Sequence, residues 1–323
     1  MVADLVSVII CAWNNWPDLE MAIESAIHQS YRPVEVVVVD NSSVDATQHE
    51  VPRRFGDRIK YVRQSNRDTG GAYNTGFELS RGAFVQFLDG DDVLAPNKIE
   101  RQMEVFSDDP TIDIVYGDVA VFQRDAGPAR WTFPQTRQES DMLLAILSSH
   151  VGICTDVGML FRRQTIKEVG PWDESLYVED LDYLIRAAWV GCRFKYCAGG
   201  PMGFARRRPN AKTASVDAMD LGNEAVWVKA CNYITEEPYR RLLMAKLASL
   251  RLNMAVFRGQ RTRSEVMRIL KLARATDALT VSPFIFWAAR LSLLFPGGRT
   301  MIRAPWLRPV RRLVRSAGAT GVM

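Results

Sequence analysis

Two short and mostly apolar runs, at positions 6–11 and 34–39, are rich in Val and Ile. Runs of this kind are typical of strands that are buried on both faces of a parallel sheet. Between them, apolar residues recur at helical spacing over positions 19–27, and Pro17 stands where a helix would begin. The pattern therefore predicts a strand–helix–strand unit.

The alternation continues along the chain. A strand at 59–62, a helix at 72–79 and a strand at 83–88 come next, which favours a doubly wound, mixed α/β sheet flanked by helices. Further strands are predicted at 114–122, 158–162 and 194–197, and further helices at 141–147 and 179–190. After the Gly-Gly-Pro turn at 199–201 no strand is predicted.

From residue 216 the pattern is helical, with helices expected at 225–234, 237–258 and 263–276. We therefore expect one α/β domain over 1–215 and a helical region over 216–323. The charge divides at the same place, because residues 1–215 hold 23 basic and 30 acidic side chains against 18 and 7 in the remainder.

The composition sets limits on partners and location. The chain has 323 residues and a net charge of only +4, which gives no reason to expect nucleic acid as a partner. Its five cysteines form no C-x-x-C pair, and no apolar run reaches the ~18 residues of a membrane span. The start carries no basic leader, so a cytoplasmic protein is expected.

The carboxyl ends of the predicted strands carry the candidate chemistry, because ligands of such sheets bind beyond those ends. Trp13 follows the first strand, Asp40 ends the second, and Asp89, Asp91 and Asp92 follow the fourth. Carboxylates crowded in this way repel one another unless a cation compensates, which indicates a hard divalent metal site. A solvated acidic turn is the simpler alternative.

Other residues have both a functional and a structural interpretation. Asp40 can contact a ligand or cap a turn, and Trp13 can stack on a flat ring or cover the sheet edge. Glu179 and Asp180 open a helix, where acidic residues are common, yet a carboxylate there suits proton abstraction from a hydroxyl. The basic run 206–208 can bind phosphate or remain a solvated loop.

Taken together, the ordered motifs resemble the family 2 glycosyltransferases, with their GT-A fold, over about residues 5–215. The resemblance rests on the segments 6–14, 29–31, 35–47, 66–76, 87–92 and 170–180. Two departures stand out, since many members of the family carry Gly where Asp68 stands and Arg where Tyr73 stands. The segment 205–208 also lacks the histidine of the family.

The resemblance implies roles for particular residues. Asp40 would contact the base of a nucleotide-sugar, Asp89 the ribose and the metal, and Asp91 would ligate Mg²⁺ or Mn²⁺. Asp180 would be the general base. Further residues implied for the nucleotide-sugar are Trp13, Asn66, Arg206 and Arg207, and those implied for the acceptor side or the wall of the site are Trp172 and Glu179.

The implied reaction is inverting, metal-dependent transfer from a nucleotide-sugar, with a UDP-sugar expected, to a hydroxyl of a glycan or lipid-linked acceptor. A catalytically silent carbohydrate-binding or scaffold protein of the same fold is the alternative. A sugar-1-phosphate nucleotidylyltransferase is disfavoured, because residues 11–15 do not supply the Gly-rich basic loop of those enzymes.

The tail at 278–323 contains seven Arg and no acidic residue. It can lie on an anionic membrane surface, making the protein peripheral at the cytoplasmic face. It can equally be a helix docked on the core or an oligomer contact, and the residues alone leave these alternatives open.

Overall fold

The computed structural model describes residues 2–65, 67–122, 131–133, 141–148, 156–208, 211–258, 267 and 269–270. The chain divides into two compact units, one of residues 1–142 with 151–214 and the other of residues 143–150 with 215–323. No helix of the described residues is both long enough and apolar enough to cross a membrane.

Strands are confined to the first unit in the described part of the chain. They are β1 (Val2–Ala12), β2 (Val34–Asp40), β3 (Lys60–Arg63), β4 (Gly82–Asp89), β5 (Val93–Leu94), β6 (Ile114–Tyr116), β7 (Val119–Phe122), β8 (Trp131–Phe133), β9 (Met159–Arg162), β10 (Phe194–Tyr196) and β11 (Gly203–Arg206).

The helices occur in both units. They are α1 (Asp18–Ile27), α2 (Thr47–Phe55), α3 (Asp68–Leu79), α4 (Lys98–Asp108), α5 (Met142–Ser148), α6 (Arg163–Val169), α7 (Glu179–Trp189), α8 (Val216–Cys231) and α9 (Tyr239–Arg258).

Seven of the described strands form the main sheet, in the order β10-β6-β9-β4-β1-β2-β3. The pairs β1–β2, β1–β4 and β2–β3 are parallel, whereas β9 runs antiparallel to β4 and β6. The runs that predicted buried strands are buried here except for the first two residues of β2, and Leu19 and Ile23 of α1 pack against them. The mixed α/β fold predicted from the sequence is confirmed.

A smaller sheet has the order β5-β11-β7-β8 in the described residues and corrects two predictions. The single strand expected at 114–122 is wrong, because Gly117 and Asp118 separate β6 in the main sheet from β7 in the smaller one. The absence of a strand after residue 201 is also wrong, because β11 pairs with both β7 and β5. Its short sequence Gly-Phe-Ala-Arg carries no apolar run that would signal a strand.

The helix boundaries also differ from the predicted ones. α3 begins at Asp68 instead of 72, and α8 spans 216–231 instead of 225–234. The helices α2, α4 and α6 were not predicted, and α4 buries a lysine, Lys98, that interrupts the apolar face expected of a packed helix. The predicted helix at 263–276 lies almost wholly outside the described residues, as does the whole basic tail.

Candidate active site

The strand register brings the predicted acidic residues to one edge of the main sheet. Ala12 of β1 lies beside Asp40 of β2, and Cys11 of β1 lies beside Asp89 of β4. Asp40 and Asp89 therefore flank the carboxyl end of the central strand, as expected for parallel neighbours.

The turn after β4 is tightly held. The Gly90 amide donates to the Cys11 carbonyl at 2.9 Å, and the Asp92 amide donates to the Asp89 carbonyl at 3.0 Å. A Cβ at Gly90 would lie 2.2 Å from the side-chain nitrogen of Asn15, so only glycine fits. We call the residues 89–92 the acidic turn.

Two carboxyl groups of the acidic turn have perturbed ionisation. Burial and the neighbouring carboxylate of Asp91 raise the pKa of Asp89 to about 6, although its Oδ1 accepts a 2.9 Å hydrogen bond from the Tyr73 hydroxyl. Burial, with Asp91 and Asp89, also raises the pKa of Asp92 well above its usual range. Ionisation of these two carboxyl groups is therefore unfavourable in the metal-free turn, and a bound cation would favour it.

Arg206 binds the acidic turn through its backbone amide and its side chain. It is only 7% exposed, its amide donates to Asp92 Oδ1 at 2.8 Å, and its Nε donates to the Asp91 carbonyl at 3.0 Å. The guanidinium also lies 3.6 Å from the Asp18 carboxylate and 4.4 Å from the centroid of the Phe122 ring. The solvated loop considered for this run is wrong at Arg206.

The other two arginines of the run differ from Arg206. Arg208 Nη2 lies 2.7 Å from Asp91 Oδ2, so this side chain covers the exposed carboxylate of the turn. Arg207 is exposed, and its amide donates to the Phe122 carbonyl at 3.0 Å. Of the three, Arg208 is therefore nearest to a phosphate that would approach Asp91.

The chemistry of Asp89 and Asp91 fits a divalent cation. Mg²⁺ is usually held in proteins by one or two carboxylates together with substrate phosphates and water. Two carboxylates in one turn match that donor set, whereas no group of three His, Cys, Asp or Glu side chains in the described residues forms an all-protein site. A cation here would therefore need ligand oxygens from a substrate.

Glu179 and Asp180 at the start of α7 are joined to this edge by Lys212. Lys212 Nζ lies 3.0 Å from Glu179 Oε2 and 3.3 Å from Asp68 Oδ1. Glu179 is 8% exposed, and its burial raises its pKa to about 7 even beside this ammonium. The Lys212 pKa is raised by the Glu179 and Asp68 carboxylates, which outweigh its burial.

Asp180 lies within the electrostatic reach of the acidic turn. Its Oδ1 accepts a 2.7 Å hydrogen bond from the Leu181 amide, and burial raises its pKa. After burial and Asp91, the Asp180 carboxylate also contributes to the raised pKa of Asp89. The predicted base therefore interacts electrostatically with Asp89, one of the two predicted metal ligands.

The remaining predicted residues are placed as follows. Asp40 is fully buried, and accepts hydrogen bonds from the Ser43 amide at 2.8 Å and the Tyr61 hydroxyl at 2.6 Å, with Arg63 Nε at 3.4 Å. Trp13 is 57% exposed at the end of β1, where a flat ring has access to it. Asn66 lies outside the described residues.

Trp172 lies in the interior and does not present its ring to solvent. It is 3% exposed and stacks on Tyr183 with ring centroids 4.2 Å apart. Asn74 fixes its backbone, accepting from the Trp172 amide at 2.9 Å and donating to its carbonyl at 3.0 Å. Trp172 therefore positions the loop before α7 through packing.

Sequence reasoning missed two charged residues of this cluster, Lys212 and Asp156. No spacing rule marks either residue, because each reaches the cluster through long-range folding. Tyr73 was noted only as a departure from the family pattern, and the structure shows that its hydroxyl binds Asp89. The sequence offered one signal for Tyr73, namely that a polar residue replaces the usual residue of the family motif at this position.

Comparison with known proteins identifies the family of this chain. The family model described as "Glycosyl transferase family 2" matches residues 7–170. The chain belongs to this family of glycosyltransferases. An uncharacterized glycosyltransferase of Nostoc sp. is 30% identical over 173 residues, covering 52% of this chain and 54% of that protein. The match thus spans about half of the relative's length.

Solved structures show the same fold at low sequence identity. S. aureus TarS 1-349 in complex with UDP-GlcNAc has a TM-score of 0.65 and 19% identity, covering 88% of this chain and 87% of that chain. Mannosyltransferase PcManGT from Pyrobaculum calidifontis, in complex with GDP-Man and Mn2+, has a TM-score of 0.56 and 18% identity, covering 90% and 87%. The fold is therefore the GT-A fold.

Proposed function

We propose that this chain is an inverting glycosyltransferase that moves a sugar from a nucleotide-sugar to a hydroxyl of a glycan or lipid-linked acceptor. We place the catalytic domain in residues 1–215. The observation that carries the proposal is the electrostatic interaction of Asp89 with both Asp91 and Asp180, because this reaction needs a diphosphate site and a base on either side of one sugar carbon.

In this mechanism Asp180 accepts the proton of the acceptor hydroxyl. The hydroxyl oxygen then forms a bond to the anomeric carbon while the bond from that carbon to the diphosphate oxygen breaks, and the electron pair leaves with the diphosphate. Attack opposite the leaving group inverts the anomeric configuration. Burial raises the pKa of Asp180, which makes its carboxylate a stronger base than an exposed aspartate.

Asp89 and Asp91 would hold Mg²⁺ or Mn²⁺, which when bound neutralises the charge that develops on the leaving diphosphate. Arg208, 2.7 Å from Asp91, is placed to donate to the same phosphate oxygens. Arg206 keeps the acidic turn in place through the Asp91 carbonyl and the Asp92 carboxylate. Exposed Trp13 is available to stack on the base.

Similarity to solved structures supports a class of donor, the nucleotide-sugars. The TarS and PcManGT structures contain UDP-GlcNAc and GDP-Man respectively, which supports a nucleotide-sugar for this chain. We expect a UDP-sugar. Asp40 is fully buried with three donors around it, so a base that contacts it would have to share those donors or approach its backbone.

A thermal-shift panel of UDP, GDP and their sugars, each with and without MnCl₂, tests the proposal. A ligand that binds only the native state raises the melting temperature by mass action. We expect one nucleotide series to shift the wild-type protein, more strongly with Mn²⁺, and Asp91→Ala to lose the Mn²⁺-dependent part. Asp57→Ala, an exposed carboxylate outside the site, is the matched control. No shift with any nucleotide would contradict the proposal.

A further inference from the structure

Asp156 is a buried acid that the mechanism above does not use. It stands directly before β9 and is 7% exposed, and its Oδ1 has no hydrogen-bond partner among the described residues. Its backbone is fixed, because Gln86 of β4 donates to the Asp156 carbonyl at 2.9 Å. A buried carboxyl oxygen without a partner is costly, so its presence in a fixed position requires an explanation.

The phenol of Tyr73 connects Asp156 to the acidic turn. The Tyr73 hydroxyl donates to Asp89 Oδ1 at 2.9 Å, and the Asp156 carboxyl group interacts electrostatically with the same phenol. A phenol carries one proton, so it cannot donate to both carboxylates at once. Because that proton is directed at Asp89, Tyr73 does not satisfy Asp156, and Asp156 Oδ1 is left for a different group.

Asp156 also interacts electrostatically with the predicted base, Asp180. Burial, followed by the carboxylates of Asp180, Asp89 and Glu179, raises its pKa well above the usual range. The carboxyl group thus lies within the field of both the predicted diphosphate site and the predicted base. In the protonated form such a group both donates and accepts hydrogen bonds.

We propose that Asp156 recognises the transferred sugar, by hydrogen bonding one of its hydroxyl groups through the carboxyl oxygen that the protein leaves without a partner. This inference rests on the proposed function, because the transferred sugar must lie between the leaving diphosphate and the attacking hydroxyl. A site built around such a hydrogen bond discriminates strongly against sugars that lack the hydroxyl.

The test compares binding of a nucleoside diphosphate with binding of the corresponding nucleotide-sugar. The proteins are the full-length wild type, Asp156→Ala and Asp156→Asn, titrated in MnCl₂ with UDP and UDP-N-acetylglucosamine, and with GDP and GDP-mannose. We expect Asp156→Ala to weaken the nucleotide-sugar about 10- to 100-fold while the affinity for the nucleoside diphosphate stays within about twofold. Asp156→Asn, which keeps a polar group of the same shape, should lose less.

Asp182→Asn is the matched control, because Asp182 is a 1% exposed acid of the same unit that pairs with Arg186 at 2.9 Å. It should weaken both ligands equally or neither. Equal effects of Asp156→Ala on the two ligands, or none on the sugar, would overturn the inference. Absence of any binding by the wild type would instead refute the proposed function, so the two failures are distinguishable.

A second measurement identifies the bond itself. Donors in which single sugar hydroxyls are replaced by hydrogen are titrated against the wild type and Asp156→Ala. One such analogue should bind both proteins equally, because the partner of Asp156 is already missing from it. If every analogue still loses affinity in the variant by the full factor, Asp156 does not bind a sugar hydroxyl and the inference is wrong. If Asp156→Ala does not fold, Asp156→Asn takes its place in this comparison.

Discussion

The raised pKa of Asp89 makes the stability of the metal-free protein depend on pH. Its pKa rises from 3.8 to about 6 because the group is buried beside Asp91, so the folded state binds the proton more tightly than the unfolded state. The sign follows directly: this contribution is fully present below pH 3.8 and is lost as pH rises to about 6. About two pKa units correspond to on the order of 3 kcal/mol.

Asp89→Asn removes this titration while keeping an oxygen that can accept from Tyr73. In EDTA, the variant and the wild type should have similar stability near pH 4. Above about pH 6, where the Asp89 pKa lies, the variant should be the more stable by up to about 3 kcal/mol. For a unit of this size that is roughly 6–12 °C in melting temperature.

The assay is differential scanning calorimetry of both proteins from pH 4 to pH 8, with Asp57→Asn as the control that removes an exposed carboxylate. MnCl₂ should stabilise the wild type above pH 6 and leave Asp89→Asn unchanged. If the difference in melting temperature between wild type and Asp89→Asn were the same at every pH from 4 to 8, the reasoning would be refuted.

Three further perturbations follow from the site. Lys212→Met removes the ammonium that lowers the pKa of Asp180, so the acidic limb of the pH–rate profile should move to higher pH, and Lys212→Arg should restore it. Gly90→Ala places a Cβ 2.2 Å from an amide nitrogen and should cost about 1–3 kcal/mol in urea unfolding; no loss would contradict the packing. Asn74→Ala removes both hydrogen bonds to the Trp172 backbone and should lower the free energy of unfolding by about 1–3 kcal/mol. An unchanged midpoint of urea unfolding would show that these bonds do not stabilise the loop.

The parallel core could be predicted because the apolar composition of its strands directly indicates that they are buried. The apolar runs of β1 and β2 are buried on both faces, and period and composition are sufficient to recognise such strands. The edge that carries Asp40 and Asp89 follows from the sheet topology, since parallel strands end at the same side. Asp180 lies on α7, so the strand register does not place it at that edge, and its role was predicted from the resemblance to the family.

The rest depends on contacts between distant parts of the chain. β11 forms because β7 and β5 offer it hydrogen bonds, and its four residues carry little signal of their own. Arg206 is buried because the Asp91 carbonyl and the Asp18 carboxylate compensate its guanidinium, although a run of arginines by itself indicates solvent exposure. Lys212 is likewise defined by its partners Glu179 and Asp68, which only the folded chain brings together.

The central claim is that Asp180 removes the proton of the acceptor beside a diphosphate held at the acidic turn. The most direct measurement is the rate of sugar transfer by Asp180→Asn at a donor concentration that saturates it, with the donor affinity determined in the same preparation. The account predicts an affinity within about twofold of the wild type and a transfer rate lower by about 10²–10⁴. A variant that binds the donor normally and transfers within tenfold of the wild-type rate would contradict the account.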